Sequence, residues 1–162
     1  MGLGPIIIGY DGSATAQRAI DEAGALMSRH QALVVVVYER DVPFEFVEVP
    51  TMPPAPVDIR FALEVDSALY DAARQMARHG AQLAEKAGLE AEPLVVADIL
   101  PVADTLIRVA KERDSQAIVV GTHGRFGLRD ILLGSTARDV IKRSPAPVLV
   151  VRAVEDVQHD RS

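Results

Sequence analysis

The sequence predicts an α/β fold: a single domain built on an open five-stranded parallel sheet with helices on both faces. Short runs of Val, Ile and Leu alternate along the chain with stretches whose apolar residues recur at helical spacing, giving the order β-α-β-α-β-α-β-α-β. Several of the runs are continuous rather than alternating, which marks strands buried on both faces. Right-handed crossovers then leave few other arrangements.

The first run, Pro5-Ile6-Ile7-Ile8-Gly9, is β-branched and ended by Gly. Asp11-Gly12-Ser13 follows, and Ala16, Ile20, Ala23 and Met27 lay out an amphipathic helix with Ser13 as its N-cap. Leu33 to Tyr38 is the second strand. Residues Asp41 to Asp58 hold five of the ten prolines and no Lys or Arg, a composition that rejects regular structure. They are expected to form a surface loop, a mobile flap between strand 2 and helix 2. Val65, Leu69, Ala72, Met76, Leu83 and Ala87 then predict the longest helix, which Gly88 stops. Arg74, Arg78, Glu85 and Lys86 are expected on its solvated face.

Leu94 to Ala97 is a weaker strand signal. Val102, Leu106 and Val109 mark a third helix, with Pro101 suited to its first turn. Ala117 to Val120 is the fourth strand. A Gly-rich loop, a short helix from Thr136 to Arg143 with Ala137, Val140 and Ile141 inward, and a last strand from Val148 to Val151 complete the domain. The domain is expected to span residues 1–152, with 153–162 as a polar tail.

Composition narrows the function classes. The chain has 162 residues, a length suited to one domain with a sizeable core. It has no Cys, which excludes disulfides, thiolate catalysis and Cys-ligated metals. Net charge is −6 and aromatics are 4%, so neither a phosphate backbone nor stacked bases are well served. No nucleic-acid or membrane partner is expected. The N-terminus has no basic n-region, and Ile6 breaks the myristoylation pattern. A cytoplasmic location is the expectation.

The chemistry concentrates after strand 4, where Gly121-Thr122-His123-Gly124-Arg125-Phe126-Gly127 runs on to Gly134-Ser135-Thr136, a G-x2-G-x9-G-S-T pattern. Glycines let backbone N–H groups approach a ligand, and Ser135 and Thr136 add hydroxyls at a helix N-terminus, which together suit an anion. From Gly121 to Arg143 five basic residues face two acidic ones, a local +3 that leaves −9 on the rest of the chain. The same residues also suit a plain strand-to-helix connection with a capped helix, worth about 1 kcal/mol.

The loop, with Ile7-Ile8-Gly9-Tyr10-Asp11-Gly12-Ser13 and Pro145-Ala146-Pro147-Val148-Leu149-Val150-Val151, resembles the universal stress protein family over nearly the whole chain, in its ATP-binding branch. The resemblance implies a Rossmann-like sheet, of the adenine nucleotide alpha hydrolase type, ordered 3-2-1-4-5. In that order the topological switch point lies between strands 1 and 4, where open α/β sheets bind ligands. It further implies that Gly9, Tyr10 and Asp11 line adenine and ribose, and that Tyr38 holds an adenine-pocket position usually filled by a small aliphatic. Gly121, Thr122, His123, Gly124 and Gly127 match the ribose and phosphate loop, Arg125 a phosphate-pairing position, and Gly134, Ser135 and Thr136 the phosphate end. The implied ligand is ATP, or ADP or AMP, with any Mg2+ arriving on the nucleotide. The implied assembly is a homodimer through Val148, Leu149, Val150 and Val151.

Other motifs stay bland. The P-loop, G-x-G-x-x-G, G-x-S-x-G and H-E-x-x-H patterns are all missing. Asp11 suits an Asx-turn as well as a ribose or magnesium-linked contact. His123 has no carboxylate partner in its motif, so structural hydrogen bonding is weighed against a general-base role. His30, His79 and His159 are expected at helix ends or in the tail. No catalytic residue is assigned. A nucleotide-occupied signalling or interaction module is preferred over a slow ATPase or phosphotransferase, and over a dimerisation scaffold without nucleotide.

Overall fold

The computed structural model describes residues 4–39, 59–124 and 133–152. The expected flap at 41–58, Arg125, Gly127 and the tail at 153–162 lie outside the described residues. Nine elements follow in order: β1 (Ile6–Gly9), α1 (Ala14–Leu26), β2 (Gln31–Glu39), α2 (Ile59–Lys86), β3 (Glu90–Asp98), α3 (Val102–Glu112), β4 (Ala117–Gly121), α4 (Ser135–Arg143) and β5 (Val148–Val151). The strands form one sheet in the order β3-β2-β1-β4-β5, every pairing parallel.

Period-two alternation divides the core between the two faces. Ile6, Ile8, Val34, Val36 and Val119 point into the layer under α1 and α2, whereas Ile7, Leu33, Val35, Ile118 and Val120 meet α3 and α4. Ile6, Ile7 and Ile8 are all fully buried, each stabilising the fold by about 1.5–3 kcal/mol through burial. This explains the unbroken apolar run of β1.

Helix ends obey local chemistry. Ser13 caps α1, its hydroxyl accepting from the Ala16 N–H at 3.1 Å. Gly88, at φ +96, ends α2 in a conformation that a side chain would strain. Pro101 stands as the N-cap of α3, one residue before the first turn.

Several expectations need correction. The buried stripe of α2 is Ala73, Ala77, Gly80, Ala81 and Ala84, one residue on from the stripe read through Ala72, while Val65 and Leu69 are exposed. Small residues face the sheet here because α2 crosses it closely: a Cβ on Gly80 would stand 2.8 Å from both the Tyr10 ring and Val34. Ile141 is 48% exposed, leaving Ala137 and Val140 as the buried residues of α4. His79 lies in the middle of α2 and not at a helix end. β3 is longer than the run Leu94 to Ala97 because, as an edge strand, it keeps Glu90, Glu92 and Pro93 in solvent.

Candidate functional site

β1 and β4 are neighbours whose connections leave on opposite sides, which makes the region beyond their C-terminal ends the topological switch point, where open α/β sheets form their ligand crevice. Register sets its walls. Gly9 pairs with Val35, whereas β2 and β3 continue together to Glu39 and Asp98. That two-stranded extension stands past the end of β1 on one side, and the turn after β4 stands on the other.

Asp11 occupies the β1 side. Its Oδ1 accepts from the Ser13 N–H at 2.9 Å, which fixes the carboxylate at the entry to α1. A Cβ placed on Gly124 would stand 2.9 Å from Asp11 Oδ2, so the two segments that sequence places 113 residues apart meet here. Only glycine allows that approach unshifted.

Thr122 is the hub of the β4 side. It is 3% exposed; its N–H donates to the Val151 carbonyl at 2.9 Å, and its carbonyl accepts from the Gly134 N–H at 2.6 Å. Its hydroxyl is hydrogen-bonded to His123 Nδ1 at 2.9 Å. Gly134 would drive a Cβ to 2.8 Å from the Thr122 carbonyl, and Gly121 would drive one to 2.6 Å from the Thr15 side chain. Both glycines are therefore packing requirements of the loop's two ends.

Gly134 is the N-cap of α4 and makes no side-chain capping bond. The first turn of α4 thus presents N–H groups and the positive end of the helix dipole beside the Gly124 segment, with Ser135 exposed and Thr136 half-buried. This arrangement can hold an anion through main chain and hydroxyls.

Tyr10 and Tyr38 are placed differently. The Tyr10 ring is 4% exposed and packs against α2, its hydroxyl buried without a hydrogen-bond partner among the described residues, and its N–H donates to the Val35 carbonyl at 2.9 Å. Tyr38 also turns onto α2. Its hydroxyl donates to Asp66 Oδ1 at 3.5 Å, and its ring meets Tyr70 edge-to-face at 5.9 Å. Arg74 lies over the Tyr70 ring.

Sequence reasoning missed a polar cluster on the same rim. Asp98, at the end of β3, accepts from Arg108 at 2.6 Å, Thr105 at 2.9 Å and the Leu100 N–H at 3.1 Å. The Arg108 guanidinium, then the Leu100 N–H, hold the Asp98 carboxyl down at about 2. Thr15 was missed as well; a polar residue on the inward face of an amphipathic helix was its signal. Among the described residues no group of His, Cys, Asp and Glu is placed to hold a metal ion, and no helix is long and apolar enough to cross a membrane.

The universal stress protein family model matches residues 3–152. The chain belongs to the universal stress protein family. Its relatives include universal stress protein MJ0577 of Methanocaldococcus jannaschii, 30% identical over 92 residues, 57% of this chain and 56% of that protein. MJ0531 of the same organism is 29% identical over 91% of this chain and 81% of that protein. The mycobacterial relative Rv2005c of Mycobacterium tuberculosis is 30% identical over 91% of this chain, which spans 45% of its length.

Solved structures agree on the fold. That of MJ0577 superposes with a TM-score of 0.73 at 24% identity, covering 96% of this chain and 99% of that one. The universal stress protein from Archaeoglobus fulgidus in complex with dAMP gives 0.59 at 23% identity over 93% of this chain and 99% of that one. A universal stress protein in complex with cAMP gives 0.63 at 22% over 94% and 98%.

Proposed function

We propose that this protein binds ATP, or its di- and monophosphate, in the crevice beyond β1 and β4, and that the occupied homodimer acts in the cytoplasm as a stress-response signalling or interaction module. The observation that carries the reading is the approach of Gly124 to Asp11. It lets the Gly124 main chain lie against the Asp11 carboxylate, at the same end of the sheet as the start of α4, whose N-cap Gly134 makes no side-chain capping bond. The dAMP and cAMP complexes of fold neighbours support an adenine nucleotide as the ligand class.

Each group has a task in this reading. Gly124 lets the backbone come close to the phosphates, and Gly134, Ser135 and Thr136 offer N–H and hydroxyl donors to them. Arg125 supplies a cation to the same charge, and Gly127 continues the main-chain cradle. Asp11 accepts from ribose hydroxyls, while the main chain at Gly9 and Tyr10 borders the base. Tyr38 closes the adenine end from the α2 side through its ring pair with Tyr70. Mg2+, brought by ATP, offsets phosphate charge. Binding of this kind needs positioned donors and no proton transfer, which is why a module that senses or displays nucleotide is favoured over a rapid ATPase.

The homodimer belongs to the same reading. β5 is an edge strand of Val148, Leu149, Val150 and Val151, an exposed-edge hazard that self-pairing removes. Denaturing freshly purified protein and measuring the mass of released small molecules tests the ligand. An adenine nucleotide near one per chain is expected. No nucleotide, together with no rise in melting temperature on adding millimolar ATP or AMP, would overturn the assignment.

A further inference from the structure

A groove of about 380 Å³ runs beside the β5 edge, lined by Arg18, Glu22 and Leu26 of α1 and by Leu149, Val150, Val151 and Arg152. The i, i+4, i+8 spacing sets the three α1 residues in one line along the helix. Arg18 and Glu22 pair at 3.5 Å with both side chains more than a third exposed. The Arg18 Nε is buried and has no hydrogen-bond partner among the described residues. Leu26, 67% exposed, leaves a large apolar side chain beside an apolar strand. We infer that a second copy of this chain docks along this groove, and that Arg18 and Glu22 select it by pairing with the partner's Glu22 and Arg18.

The inference rests on the homodimer reading above and adds what specifies the pairing. Symmetry favours this occupant over a foreign strand. A two-fold axis normal to the sheet pairs β5 with its copy in antiparallel fashion, about 5 Å apart, and sets the two α1 helices antiparallel on the same face. Because α1 packs over both β4 and β5, each helix stands back from the axis. Long side chains are then needed to span the gap. One symmetry operation makes the Arg18-to-Glu22 contact twice, so a single register satisfies both charges, whereas sliding Glu22 against its own copy opposes like charges. Docking also covers Leu26. The other edge of the sheet discourages the alternative pairing, since β3 carries Glu90, Glu92 and Pro93.

Sedimentation equilibrium of the full chain tests this with wild type, Arg18→Glu, Glu22→Arg and the double exchange, each checked for native circular dichroism. Each single variant is expected to weaken the dimer about tenfold at low salt, and the double exchange to recover it to within about threefold. Unchanged dimer constants in both single variants would overturn the groove's role while leaving β5 pairing intact. Weakening without recovery in the double exchange would overturn the reciprocal contact. A wild type that stays monomeric and instead captures extended peptides would overturn the homodimer reading together with this inference.

Discussion

At Asp98 one carboxylate closes three hydrogen bonds and ties the end of an edge strand to α3. Its pKa falls from 3.8 to about 2, chiefly through Arg108, then the Leu100 N–H, against an opposing effect of burial. The folded value lies below the unfolded one, so the stability from this group is fully present above about pH 4 and is lost as pH falls through about 2. Acid unfolding of wild type should therefore include a loss of stability between pH 4 and 2 that shrinks in Arg108→Met. Identical acid dependence in the two proteins would contradict the assignment. This cluster was not legible in the sequence. Asp98, Thr105 and Arg108 share no motif, and it is the i, i+3 spacing on α3 and the extension of β3 past Ala97 that unite them. Asp11 and Gly124 were legible, because each sits in a short pattern whose residue types are dictated by close backbone approach.

Among the elements, the helices divide by how much of the sheet lies beneath them. β1, β4 and α1 could be read residue by residue, since their apolar periodicity coincides with their burial. α2 could not: its 28 residues outrun the sheet, its inward stripe is Ala and Gly, and its larger residues Val65 and Leu69 stand in solvent. Hydrophobicity alone weights the larger residues and shifts the stripe by one position. Close packing reverses the usual intuition about substitution. Ala77→Leu should cost about 1–3 kcal/mol by overpacking the helix–sheet contact, whereas Leu69→Ala should stay within about 0.5 kcal/mol. Urea unfolding midpoints at constant m-value distinguish the two, and a larger loss at Leu69 would show that some other part of the molecule covers it. Ile141 repeats the lesson on α4, where the sheet ends at β5 and one side of the helix remains wet.

For the whole molecule, the same turn borders both the candidate site and the β5 edge proposed to pair. Thr122 donates to the Val151 carbonyl at the end of β5 and accepts from Gly134 at the start of α4. The homodimer proposed through β5 is therefore placed beside the loop proposed to hold nucleotide. Val150→Lys should place a charge in the pairing surface and convert dimer to monomer or aggregate at micromolar concentration. Light scattering checks this, and a wild-type monomer would show that the edge is shielded otherwise.

Binding of an adenine nucleotide at the meeting of Asp11 and Gly124 is the central claim, and calorimetric titration of ATP into wild type and Gly124→Val tests it most directly. Gly124 suits the test because its Cβ space is bounded by a side-chain oxygen, whereas Gly121 and Gly134 are wedged against Thr15 and the Thr122 carbonyl. The account predicts wild-type binding tighter than about 1 mM, at least about 4 kcal/mol, and a loss of tenfold or more in a variant that melts like wild type. Equal affinities in the two proteins, or wild-type binding weaker than about 1 mM, would contradict it.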